Sequence, residues 1–62
     1  MMKPKCKLIG KDGNIFNLMG IARRTLKEAG LDEEATEMAE RIMKSKSYDE
    51  ALQIIMDYVE VE

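Results

Sequence analysis

The apolar residues that follow "DGN" at 12–14 recur at helical spacing, and that rhythm sets the kind of fold open to the chain. Placed on a helical wheel, Ile15, Leu18, Met19, Ala22, Leu26 and Ala29 fall in one stripe about 100° wide. A competing reading makes "LIGKDGNIFN" a hairpin around Asp12-Gly13, pairing Gly10 with Ile15 and Ile9 with Phe16. That leaves "NIFN" as the whole second strand and does not account for the stripe. Asn14 suits a helix N-cap, because its side-chain oxygen can accept from a free N–H of the first turn. Gly13 is expected to supply an unusual backbone angle before the cap, and Gly30 the left-handed residue that ends the helix. The spacing therefore predicts a first helix over 15–29.

A second helix is predicted over 32–45. Asp32 is its expected N-cap, with Glu33 and Glu34 favouring the positive end of the helix dipole. Leu31, Ala35, Met38, Ala39 and Ile42 make its apolar stripe. Glu37–Arg41 and Glu40–Lys44 are spaced i, i+4 on its outer face. The third helix, 48–58, opens with a capping box in which Ser47 caps and Glu50 reaches back. Its apolar arc runs through Tyr48, Ala51, Leu52, Ile54, Ile55, Met56, Tyr58 and Val59 and spans about 200°. Upstream, "KCKLI" at 5–9 reads as a short strand, with Pro4 just before it. The tail "VEVE" alternates and can pair with it. The expected fold is mostly α: a compact three-helix domain with a short N-terminal strand, paired with the C-terminal VEVE segment.

Size limits what can hold such a fold together. The 62 residues make one small domain. A chain this short buries only about 60 % of the surface its unfolded form exposes. Disulfides and metals often supply the missing stability. Here Cys6 is the only cysteine and histidine is absent, whereas a Cys/His zinc site needs about four ligands. Asp12 stands alone where a calcium loop needs alternating acids. No metal or cofactor is expected, which leaves tight helix packing or self-association. Apolar runs such as "IIM" fall far short of the roughly 20 residues that span a bilayer. "MMKPKCKLIG" carries charges without the apolar stretch of a signal peptide. With a lone thiol, suited to a reducing compartment, these features point to the cytoplasm.

The sequence "LIGKDGNIFNLMG", followed by "KEAGLDEEA", "SYDEAL" and "YVEVE", resembles a family of small proteins found in bacteria, their phages and mobile elements. The shared positions are Gly10, Asp12, Gly13, Asn14, Phe16, Leu18, Gly20, Ala29, Gly30, Tyr48, Asp49, Val59 and Val61, nearly the length of the chain. Family members often carry alanine at the positions of Ile15 and Asn17, which favours helix over strand there. This chain departs in having Lys44-Ser45-Lys46 before the Tyr-Asp pair, where Ser-Gly is usual. The resemblance implies no activity.

Catalysis is not expected. A nucleophile needs a base and an oxyanion donor around it. Cys6 has no histidine to activate it, and Lys5 and Lys7 point to the other side of a strand. The acids at 32–37 suit the helix dipole better than acid–base work, which needs a pocket. Gly10 and Gly13 precede a helix as in a phosphate cradle, but without the spacing or the terminal Lys-Ser/Thr of a P-loop.

Two kinds of contact surface remain. Helix 3 has about twice the apolar arc of its neighbours, and its far edge from Met56 is Ile54. An exposed Ile54 beside Tyr58 and Ala51, extended by Ile21, would mark a protein-contact patch, pairing two copies of the chain or docking another protein. The methionines, six in all, are assigned to filling gaps in the core, with a Met-rich binding groove as the alternative. The other surface is on helix 1, where Arg23, Arg24, Lys27 and Phe16 share a side, a mixture that nucleic-acid surfaces use. Residues 1–29 carry seven basic and two acidic residues, whereas 30–62 carry three and ten. Acidic second and third helices weigh against a duplex reader. They also offer partners for the arginines within the fold, with Phe16 and Gly20 packed beneath the strand.

Overall fold

Asn14 opens the first helix as its sequence suggests, its side-chain oxygen accepting from the N–H of Phe16 at 2.9 Å. The computed structural model describes residues 3–62. Chain order is β1 (Lys5–Cys6), α1 (Ile15–Glu28), α2 (Asp32–Met43), α3 (Tyr48–Tyr58) and β2 (Glu60–Val61). The described residues are mostly α: three helices and one pair of two-residue strands. No helix among the described residues is long and apolar enough to cross a membrane.

The connection into α1 differs from expectation in one detail. The left-handed glycine is Gly10, at φ 88°, and Gly13 has no positive φ. The N–H of Lys11 donates to the Leu8 carbonyl at 3.1 Å, closing a turn that puts Gly10 at its third position. The chain thus reverses direction before "DGN", which is left to bridge turn and helix. The Asn14 N–H donates to an Asp12 carboxylate oxygen, and the Asn17 amide to the Asp12 carbonyl.

α1 ends in a Schellman motif. The Leu31 N–H reaches the Leu26 carbonyl at 2.8 Å and the Gly30 N–H the Lys27 carbonyl at 3.0 Å, with Gly30 at φ 79°. This closure explains why Asp32 does not cap α2. Leu31 is held by the end of α1, so α2 starts at the next residue, and Leu31 takes the cap position without a side-chain bond. Asp32, Glu33 and Glu34 then all lie in the first turn, at the positive end of the helix dipole. α2 stops at Met43, where the Ser45 hydroxyl donates to the Ile42 carbonyl at 2.6 Å. Ser47 caps α3 by accepting from the Glu50 N–H. The return half of the box shifts by one residue: the Glu50 carboxylate accepts from Lys46, not Ser47.

Leu18, Ala22 and Leu26 of α1, Ala35, Met38 and Ile42 of α2, and Ala51, Ile54 and Ile55 of α3 build the core. Cys6, Leu8 and Val59 close it from the strand end. β1 and β2 pair in parallel, Lys5 with Glu60 and Cys6 with Val61. Glu60 N–H donates to the Pro4 carbonyl and Glu62 N–H to the Cys6 carbonyl, both at 2.9 Å. The N–H groups of Leu8 and Ile9 both donate to the Glu62 carbonyl. The VEVE tail therefore pairs with the 5–9 segment, over fewer residues of regular strand than the alternation suggested.

Candidate interaction surface

α3 lies with one edge of its apolar arc against α2. Ile54 is 6 % exposed and Ala51 2 %, so both belong to the core, and Ile21 is half-buried against it. The exposed patch expected at Ile54 is not there. The reason is the packing of α2 along this edge. The Tyr58 hydroxyl donates to the Glu37 carboxylate and accepts from Arg41 at 3.2 Å. The Arg41 guanidinium sits 5.5 Å from the centre of the Tyr58 ring and pairs with Asp57 at 3.1 Å. Tyr58, expected in the contact patch, is instead a latch between α2 and α3. Partial burial and, second, the bond to Glu37 push its phenol above the ordinary value.

The excess of the arc emerges on the opposite edge. Tyr48 and Met56 are exposed and Leu52 is half-buried. Spaced i, i+4 and i+8, they form one row along α3. Ile9 from the turn after β1 stands beside them, 71 % exposed. With Leu8, Leu18 and Ile55 as floor, these residues line a hollow of about 290 Å³. On the other side of Tyr48 lies a second hollow of about 360 Å³, lined by Ile15, Phe16, Ile42 and Met43. Phe16 is 60 % exposed and Met43 65 %. Tyr48 walls both hollows, and its hydroxyl donates to the Gly13 carbonyl, which pins the ring between them. The result is one apolar band, Ile9–Met56–Tyr48–Phe16–Met43. Sequence reasoning missed it, although a signal exists. Phe16 and Met43 fall off the buried stripes of their helices, and Met56 sits at the margin of its own.

The charged side chains lining these hollows are Lys11 in one and Lys46 in the other. Lys3 is near the Met56 end, its ammonium donating to the Met56 carbonyl at 2.8 Å. The Asp12 and Glu50 carboxylates accept from the backbone N–H groups of Asn14 and Lys46.

The basic face of α1 divides. Arg23, Arg24 and Lys27 line a shallow hollow of about 460 Å³ with Gly20 and Glu28. Phe16, expected beside them as a stacking platform, lines the apolar band instead. Nor does Phe16 pack with Gly20 beneath the strand: nothing lies within 4 Å of where a Gly20 Cβ would be. The arginines of α1 do not pair with acids of α2 or α3. The one ion pair among the described residues is Arg41–Asp57, and the Arg23 Nε is buried without a hydrogen-bond partner. The acids Asp32, Glu33, Glu37 and Glu40 line a separate face of α2.

Cys6 is 1 % exposed, and its sulfur accepts from the Thr25 hydroxyl at 3.5 Å. Among the described residues no three His, Cys, Asp or Glu side chains come together as a metal site would require. Compared with known protein families, curated proteins and solved structures, the chain matches none.

Proposed function

We propose that this chain is a small cytoplasmic, non-catalytic interaction module that docks another protein through the apolar band centred on Tyr48. The observation that carries the reading is the convergence of five exposed large apolar residues, Ile9, Phe16, Met43, Tyr48 and Met56, from the turn and all three helices. Isolated apolar side chains on a surface are ordinary, but a contiguous set around a fixed aromatic is the composition of a contact site. Met43 and Met56 add side chains that adapt to a partner's shape. An apolar face of α3 thus remains the proposed contact, on the Leu52–Met56 edge. Catalysis is not part of this reading, because the thiol is buried and the charged side chains lining the two hollows of the band are lysines.

A photo-crosslinking side chain placed at Ile9, Met56 or Arg24 tests this in the source cell. Protein adducts are expected from positions 9 and 56, and Met56→Glu should abolish those formed at 9 while leaving the helical circular dichroism unchanged. Absence of protein adducts from both positions would sink the reading.

A second reading is supported by the grouping of Arg23, Arg24 and Lys27 without facing acids other than Glu28. These cations would bind a nucleic-acid backbone, and affinity would fall steeply with salt. Each of Arg23→Ala, Arg24→Ala and Lys27→Ala should then lower the salt slope by about 1. No binding to single- or double-stranded probes at low salt removes this alternative.

A further inference from the structure

The ionic groups at the rim of the apolar band narrow the choice of partner. Lys11 stands at the Ile9–Met56 end with Lys3 close by, and Lys46 at the Phe16–Met43 end. No carboxylate lines either hollow. Asp12, next to Lys11 in sequence, and Glu50, four residues after Lys46, accept from the backbone N–H groups of Asn14 and Lys46. The charged side chains that line the band are therefore lysines, one at each end of an apolar centre.

A second copy fits this pattern poorly. A two-fold dimer lays the same patch on itself. With the axis through Tyr48, Lys11 of one copy faces either Lys46 or Lys11 of the other. Cations meet cations in both arrangements, which opposes association. The acidic face of α2 does not correct this, since it lies outside the band.

From this charge pattern, and resting on the reading of the band as a contact face, we infer that its occupant is an amphipathic segment of a different protein. That segment carries apolar anchors in the middle and carboxylates at both ends. The anchors fill the hollows on either side of Tyr48, and the carboxylates meet Lys11 and Lys46. A helix of 15 residues is about 22 Å long and lies within the 27 Å long axis of the molecule. Exposed ion pairs add modest affinity, so the apolar contact binds and the charges select.

Two synthetic 15-residue peptides test the inference. They share one face of Leu and Phe at i, i+4, i+7 and differ in having Glu or Lys at both ends. Each is titrated into isotope-labelled protein, and amide shifts are followed at Ile9, Gly13, Tyr48 and Met56. The Glu-ended peptide is expected to bind about tenfold more tightly at low salt, with the contrast shrinking as salt rises. Lys11→Glu combined with Lys46→Glu, both at exposed positions, should invert the preference. Equal binding of both peptides at the band would overturn the charge inference and leave the docking reading standing. No shift at the band with either peptide would overturn both. Sedimentation equilibrium of the protein alone is the companion measurement: a dimer that Met56→Glu dissolves would assign the band to a second copy and overturn the inference.

Discussion

Glycine plays opposite roles at two positions of this chain. Gly30 sits at φ 79°, where an L side chain meets its own backbone, and it completes the Schellman closure of α1. Gly20 lies inside α1 with ordinary helical φ, and nothing stands within 4 Å of where its Cβ would be. Gly30→Ala should therefore cost about 1 kcal/mol, while Gly20→Ala should stabilise the protein by about 0.5–1 kcal/mol through reduced freedom of the unfolded chain. Urea denaturation of the two variants gives both signs in one experiment. A Gly20→Ala that destabilises would show that the open space beside α1 is filled by something in solution.

The two edges of α3 separate stability from contact. Ile54 is in the core and Met56 is 41 % exposed. Ile54→Ala should cost about 2–5 kcal/mol, the range for deleting buried aliphatic atoms, whereas Met56→Glu should change stability by less than about 0.5 kcal/mol, as surface substitutions do. Thermal melts of the pair decide which edge is structural. The latch between α2 and α3 adds a pH dependence. Tyr58 has its folded pKa raised, first by desolvation and then by the bond to Glu37, so the folded state holds this proton more tightly than the unfolded chain does. Its contribution is fully present below the ordinary phenol value and is lost as pH rises through the folded pKa. Stability measured by denaturant at rising alkaline pH should fall, and Tyr58→Phe should flatten that part of the decline. Equal alkaline declines in the two proteins would remove Tyr58 from the account.

At the scale of the molecule, the parallel strands join the two ends of the chain. Glu60 and Glu62 donate to Pro4 and Cys6, and Leu8 and Ile9 both donate to Glu62. Those four backbone bonds, each contributing about 0.5–1.5 kcal/mol, rival the whole stability of a domain this size, about 0.05–0.15 kcal/mol per residue. They also hold in place the segments that carry the buried Cys6, Leu8 and Val59. Removing residues 60–62 should leave a chain that is largely unfolded at room temperature, read by loss of helical circular dichroism. A truncated protein with the full helical signal would show that the three helices suffice.

Local chemistry is what the sequence determined. Apolar residues at helical spacing specify three helices, and Asn14, Gly30 and Ser47 mark their ends because each acts on a backbone group within a few residues. Along the chain Gly10 and Gly13 can each serve a tight connection, and only the turn closed by Leu8 and Lys11 selects Gly10 over the expected Gly13. The tertiary structure alone decided which edge of α3 meets α2. An arc of about 200° can bury either margin, and the wheel carries no sign to choose between them. Packing buried Ile54 and left Met56 outside. The same holds for the contact surface: Phe16, Met43 and Ile9 belong to three separate segments and are strays when read along the chain. Folding brings them together around Tyr48, because the position of a helix face in space depends on every element packed behind it.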